Sequence, residues 1–266
     1  MILSMKMVHA FLNGLSEIVR GSYSQFRYPR VRLIYGGTFN PIHNTHVEVI
    51  RYLSVKFPDA VIHVMPNAYL PSTSSMPSPQ TRLQMIRVAL ADMLATNGSA
   101  EHPMSSGVYL DETEQDIPYP SVTWQTAKKL MHQYPDDKIA WVVGSDVLLS
   151  LHRWPDWKKL FDYCHLYVIP RKEWLMPPHR SVLCYIDAMV GNENESSLRL
   201  FDDDSRGAFY SAQALRGCVF TDSQFPLSDV SSTMVRQMIS DGVDCPHLHP
   251  DVFNIIRLNQ LYTSDN

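Results

Sequence analysis

The chain has 266 residues, enough for one or two domains and a sizeable buried core. At 45% hydrophobic, 11% aromatic and 19% charged residues, it excludes disorder over its whole length. Lys and Arg total 23 against 27 Asp and Glu, a net charge of −4, which argues against a general nucleic-acid binder but leaves room for one local phosphate site.

In chain order, residues 1–30 read as an N-terminal extension, an amphipathic helix packed on the domain. Its Lys6, Arg20, Arg27 and Arg30 outnumber Glu17, which leaves organellar targeting open. From Val31, short β-branched runs alternate with segments of helical period. VRLIY (Val31–Tyr35) predicts a buried strand stopped by Gly36-Gly37, and Val47, Ile50 and Leu53 predict a helix over His46–Phe57. VIHVM (Val61–Met65) predicts the next strand, followed by a Ser/Pro/Thr loop to Pro79. Leu83, Ile86, Leu90 and Met93 mark a second helix. VYLDE (Val108–Glu112) predicts a strand, Thr123–Tyr134 a helix, and IAWVV (Ile139–Val143) another strand ended by Gly144. Trp157–Tyr163 reads as a helical turn or two and HLYVI (His165–Ile169) as a fifth strand. Pro177–Arg216 breaks this rhythm and reads as an irregular, partly exposed insertion. GCVFTDS, SSTMVRQMI and the helical PDVFNIIRLNQLY complete the chain.

Strands separated by helices predict an α/β fold, a doubly wound parallel sheet covered on both faces, with its ligand site beyond the carboxyl ends of the strands. The domain runs over 31–266 and closes with a helical part. Cys164, Cys184, Cys218 and Cys245 are scattered without a CxxC pair, which argues against disulfides or structural zinc and for a reducing, cytoplasmic setting. No apolar run reaches the roughly 20 residues of a membrane span.

The informative segment is YGGTFNPIHNTH, Tyr35 to His46, between the first strand and the first long helix. Gly36 and Gly37 permit a tight turn and close approach of backbone N–H groups to a ligand. The helix after it aims its unpaired N–H groups and partial positive charge at the same space, a ready anion site. His43 and His46, three apart, both face it as phosphate donors. Ser231 and Ser232 read as the N-cap of a second helix, with Arg236 one turn in. Asp146, after a strand and Gly144, reads equally as a ribose-hydroxyl acceptor or a residue capping the next helix. His63, His152, His247 and His249 fit no motif and read as structural.

The segment resembles the GGTFDPxHxGH signature of the nicotinate/nicotinamide mononucleotide adenylyltransferases, in the nucleotidylyltransferase superfamily. PSVTWQTAKKL (Pro120–Leu130), VVGSDVLLSLHRWPDW (Val142–Trp157) and DVSSTMVRQMI (Asp229–Ile239) are similar to three later segments of that family, in its order. The resemblance implies a Rossmann-like nucleotidylyltransferase that moves the adenylyl group of ATP onto a pyridine mononucleotide, releasing pyrophosphate in NAD biosynthesis. It implies that His46, His43 and Arg236 are catalytic, with His46 nearest the reacting phosphate. Gly36, Gly37, Thr38, Phe39, Asp146, Ser231 and Ser232 would bind ATP. Thr123 would contact the pyridine side and Trp154 would stack on its ring. Mg²⁺ would enter with ATP, on phosphates and water rather than a protein metal site. Partners are ATP and the mononucleotide, with no nucleic acid and no membrane, and a homo-oligomer is compatible with the sequence. Three departures stand out: Thr45 replaces a glycine and crowds the turn, Asn40 replaces an aspartate, and the Ser72–Ser75 loop lacks a cation for the mononucleotide phosphate. They keep two alternatives open, a sibling nucleotidylyltransferase with another substrate and a degenerate domain that binds nucleotide as a sensor or partner module.

Overall fold

Strands that are apolar on both faces need cover on both sides, and the sequence supplies it by alternating them with amphipathic helices. The computed structural model describes residues 29–67, 76–94, 106–116, 122–171, 178–190, 198–199, 216–222, 224–226 and 228–263. All but the last two residues of the N-terminal extension, the Ser72–Ser75 loop and Pro120-Ser121 lie outside these residues. The strands are β1 (Val31–Gly37), β2 (Val61–Pro66), β3 (Gly107–Leu110), β4 (Lys138–Gly144), β5 (His165–Ile169), β6 (Leu198–Arg199) and β7 (Val219–Thr221). They form one parallel sheet in the order β3-β2-β1-β4-β5-β7-β6. The helices are α1 (Asn44–Lys56), α2 (Pro79–Ala89), α3 (Thr123–Gln133), α4 (Ser145–Ser150), α5 (Arg180–Val190), α6 (Ser232–Ser240) and α7 (Pro250–Leu258).

Successive strand residues point to opposite faces and so split between two cores. Leu33, Tyr35, Ile62, Val64, Ala140 and Val142 pack under Ile50 and Leu53 of α1, Ile86 of α2 and Val252 and Ile256 of α7. Ile34, Met65, Ile139, Trp141 and Val143 pack under Leu130 of α3, Leu160, Phe161 and Val182 and Ile186 of α5. The chain winds outward from β1 through β2 to β3, then crosses back to β4 beside β1. That reversal opens a crevice beyond the carboxyl ends of β1 and β4, the switch point where such sheets bind ligands.

Four readings need correction. Strand β1 does not stop before Gly36-Gly37 but runs through both. Helix α2 starts at Pro79, where the loop was expected to end, but it stops at Ala89, with Leu90 as its C-cap, rather than running to Asn97-Gly98; at its start Ser78 accepts from the Thr81 N–H at 3.1 Å and Pro79 fits the first turn. Trp157–Asp162 is a 3₁₀ helix. The segment read as irregular contributes α5 and the edge strand β6, because Val182 and Ile186, one turn apart, are fully buried.

His63 is structural, as expected. Its Nδ1 lies 2.7 Å from Asp111 Oδ2 and its Nε2 3.3 Å from Arg32, whose Nε donates to Asp137 at 2.6 Å. Burial works to raise the Asp111 pKa, but the bonds from His63 and the Thr113 N–H outweigh it and hold the carboxyl below its usual range. This network anchors the 3₁₀ turn Thr113–Asp116, which borders the crevice.

Candidate active site

The crevice is a cavity of about 710 Å³. Its lining includes Gly36, Gly37, Thr38, Phe39, His43, His46, Thr123, Asp146, Trp154, Ser231, Ser232 and Arg236. Those are all the site residues expected from the sequence. Residues spread over two hundred positions meet there because four element ends converge: the end of β1, the first turns of α1 and α6, and the end of β4.

The glycines serve close approach rather than a turn. A Cβ on Gly36 would sit 3.1 Å from the Trp141 indole, and one on Gly37 would sit 3.2 Å from the Phe39 ring. The bend comes later, at Phe39, whose φ of 47° lies in the left-handed region that non-glycine residues rarely adopt. It is held there by its surroundings: Phe39 is buried, with its ring edge-on to His46 and to Tyr35.

His43 caps α1 and His46 sits in its first turn, with ring centroids 3.8 Å apart. The His43 N–H donates to His46 Nδ1 at 3.2 Å. Burial, the Arg171 charge and His247 lower the His43 pKa to about 3. Burial, then His43 and Arg171, hold His46 well below its usual value. Both rings are therefore neutral near pH 7. Because Nδ1 of His46 accepts, its proton resides on Nε2, which makes Nε2–H the donor. The His43 side chain is 1% exposed, yet neither of its ring nitrogens has a hydrogen-bond partner among the described residues. A buried polar group left unpaired in a cavity wall is a place for a ligand atom.

Thr45 does not crowd the turn. It faces away from the cavity, and its Oγ1 lies 2.9 Å from Ser228 Oγ, tying α1 to the segment that leads into α6. Ser231 is the N-cap of α6, its Oγ accepting from the Met234 N–H at 3.2 Å. The Ser232 hydroxyl is committed to the Pro41 carbonyl at 3.0 Å. Two of the five N–H donors of Arg236 are engaged within the site, Nη1 donating to the Asn40 carbonyl at 2.8 Å and Nη2 to Thr233 Oγ1 at 3.1 Å. Asn40, in place of an aspartate, accepts from the Tyr262 hydroxyl at 2.6 Å. Asp146 lies in the first turn of α4, whose cap is Gly144, so the capping alternative falls away. Its Oδ1 stands 3.4 Å from Arg171 Nε. Trp154 is half-buried against the cavity, while the more deeply buried Trp157 packs edge-on to Phe161 and Tyr185.

Three residues at the site escaped the sequence reading. Arg171 lines the cavity two positions past β5 and is the cation that both histidines sense. A charged residue just beyond the carboxyl end of a strand was the available signal. Glu114, buried and cavity-lining, accepts from Thr126 at 3.0 Å. Tyr262 reaches the loop from the far end of the chain, and no local pattern announces it.

A parallel sheet reversing at its centre, with a glycine-bearing strand end, two helix N-termini and paired histidines at the reversal, is a Rossmann-like nucleotidylyltransferase. A family model described as cytidylyltransferase-like matches residues 34–238. A relative in Idiomarina loihiensis, named "Probable nicotinate-nucleotide adenylyltransferase", is 30% identical over 233 residues, spanning 87% of this chain and 99% of its own. One of the same name in Yersinia enterocolitica is 31% identical over 235 residues, spanning 86% and 94%. The solved Plasmodium falciparum nicotinic acid mononucleotide adenylyltransferase complexed with NaAD shares the fold, with a TM-score of 0.60 at 17% identity over 88% of this chain and 97% of that one. The chain belongs to the cytidylyltransferase-like family and, within it, to the nicotinate/nicotinamide mononucleotide adenylyltransferases. Among the described residues no helix is long and apolar enough to cross a membrane.

Proposed function

We propose that this enzyme transfers the adenylyl group of ATP to nicotinate mononucleotide, giving deamido-NAD and pyrophosphate. The mononucleotide's 5′-phosphate oxygen attacks the α-phosphorus in line, and the bond to the departing pyrophosphate breaks. Catalysis of this kind is mostly positioning and stabilisation of charge on phosphate oxygens. The observation that carries the reading is the unpartnered, buried His43 beside the Nε2–H of His46, at the N-terminus of α1 and within reach of the Arg171 field. These groups suit a polyphosphate. His46 donates to the reacting phosphate, the loop Gly37–Phe39 and the start of α6 hold the others, and Asp146 accepts ribose hydroxyls.

Mg²⁺ accompanies ATP in this proposal. Among the described residues no three His, Cys, Asp or Glu side chains stand together as metal ligands. In this reading the ion is carried by phosphates and water, as Mg²⁺ prefers.

Trp154 offers a ring face to the pyridine, and α3 opens at Thr123 without a side-chain cap at Val122. A helix N-terminus favours a carboxylate over a neutral carboxamide, which supports the acid and agrees with the names of the two relatives. The test is pyrophosphate release from ATP with nicotinate and with nicotinamide mononucleotide. Faster turnover with the acid is expected. Release with neither, while ATP still binds, overturns the reading in favour of a nucleotide-binding module.

A further inference from the structure

Arg82 is a cation in the interior. It is 1% exposed, on the buried face of α2, and it does not line the cavity. Its Nη1 donates to the Thr38 carbonyl at 2.8 Å and its Nη2 to the Asn67 carbonyl at 2.9 Å. Thr38 belongs to the loop after β1 and Asn67 to the loop after β2, and both border the cavity. Burial lowers the Arg82 pKa from its usual value, yet an arginine starts so high that it stays charged.

We infer that Arg82 is a positioning residue that presents the Gly37–Asn40 loop to the ATP phosphates, by gripping the carbonyls of Thr38 and Asn67 in one guanidinium. A trans peptide unit is planar, with its C=O and N–H opposed. Fixing the Thr38 carbonyl toward Arg82 therefore turns the Phe39 N–H the other way, toward the cavity side of the loop. The same logic runs along the loop. The Gly37 carbonyl accepts from the Asn67 N–H at 2.8 Å, which turns the Thr38 N–H outward. The Pro41 carbonyl is held by Ser232, while the Asn40 carbonyl, whose peptide bears no N–H because proline follows, is simply tied to Arg236. Arg82 joins this loop to the carbonyl of Asn67, so one side chain sets the spacing of two loops. Its charge also polarises the Thr38–Phe39 peptide and strengthens the N–H on the ligand side.

This rests on the reading of the loop as the ATP phosphate site, and the experiment separates the two. Binding of a non-hydrolysable ATP analogue to the full-length protein is measured by calorimetry, beside melting temperature and steady-state kinetics, for wild type, Arg82→Lys and Gln115→Leu. The lysine variant keeps the charge but not the two-carbonyl grip. Gln115, half-buried, donates to Pro66 at 3.0 Å and reaches Asn67 at 3.5 Å, so its loss disturbs the Asn67 side alone. Arg82→Lys is expected to weaken analogue binding by about 10-fold or more, the scale of one lost charge-assisted bond. Mononucleotide binding should stay within about two-fold, and Gln115→Leu should show a smaller weakening in the same direction. Unchanged analogue affinity in both variants, whatever happens to the melting temperature, overturns the inference and leaves Arg82 a purely structural cation. If Arg82→Lys does not fold, unchanged affinity in Gln115→Leu overturns it. If wild type binds the analogue but turns over no pyridine mononucleotide, the acceptor assignment fails while the comparison of affinities still decides the role of Arg82.

Discussion

The two neutral histidines make acid stability a direct probe of the site. His43 has a folded-state pKa lowered to about 3 by burial and by the Arg171 and His247 charges. In the unfolded chain its pKa returns to about 6.5. The unfolded state therefore binds the extra proton, and the stability His43 confers by remaining neutral is full above about pH 6.5 and lost progressively toward pH 3. At pH 5 the loss from His43 alone is about 2 kcal/mol, from the roughly 1.5 pH units below the unfolded value. His46 falls in the same direction. Replacing His43 by Gln removes the titration and keeps a polar side chain at the site. Urea unfolding of wild type and His43→Gln, repeated from about pH 8 to pH 5, reads this contribution together with the accompanying change in His46, whose pKa His43 helps to lower. The variant is expected to be less stable at pH 8 and to lose about 2 kcal/mol less than wild type on acidification. Parallel stability curves would show that His43 is not held neutral, and the electrostatic description of the site would fail with it.

Three further outcomes follow from the geometry. His46→Ala should lower kcat by about 10²–10³-fold, the usual effect of removing a donor to developing charge, and turnover within a few-fold of wild type in a folded variant removes His46 from the reacting phosphate. Trp154→Ala should raise the mononucleotide KM by about 5- to 150-fold, equivalent to roughly 1–3 kcal/mol of stacking. The ATP KM and the melting temperature should hardly move, whereas a destabilised variant with normal KM makes Trp154 a packing residue instead. Gly144→Ala would drive a Cβ into Asp146 Oδ1 and place it 3.1 Å from Arg171 Nε. Displacing that carboxylate should raise the ATP KM by about 10-fold, on the scale of one good hydrogen bond to a charged group, and an unchanged KM takes Asp146 off the ribose.

The sheet was legible because its signals are local: a continuous β-branched run of about five residues predicts a buried strand wherever the chain runs. The start of α2 is local in the same way, set by the Ser78 cap before Pro79. The loop at the cavity was legible because a GG pair, two histidines and a helix start crowd into twelve residues. What the sequence hid depends on distant pairs. Thr45 reads as a clash until Ser228 is seen beside it, 183 positions away. Arg82 carries no signal of its own, since nothing near it in sequence reveals the two carbonyls it meets in other loops. Arg171 follows an unremarkable strand end and acquires meaning only where β5 lies beside β4.

The distribution of charge explains why neutral histidines belong here. Four like charges packed around one cavity would repel one another and cost stability; burial first, and then these neighbouring charges, lower both histidine pKa values. The site instead separates two tasks. Arg171 and Arg236 and the N-termini of α1 and α6 supply a positive field that persists across physiological pH. The histidines supply direction, since His46 has one nitrogen occupied by the His43 N–H and the other left to point a proton. A polyphosphate entering this cavity brings the negative charge that the arginines lack and raises both histidine pKa values toward their ordinary range. Binding then draws the histidines toward protonation at the moment when charge accumulates on the phosphate oxygens, and an anion without that charge density gains much less from the same walls.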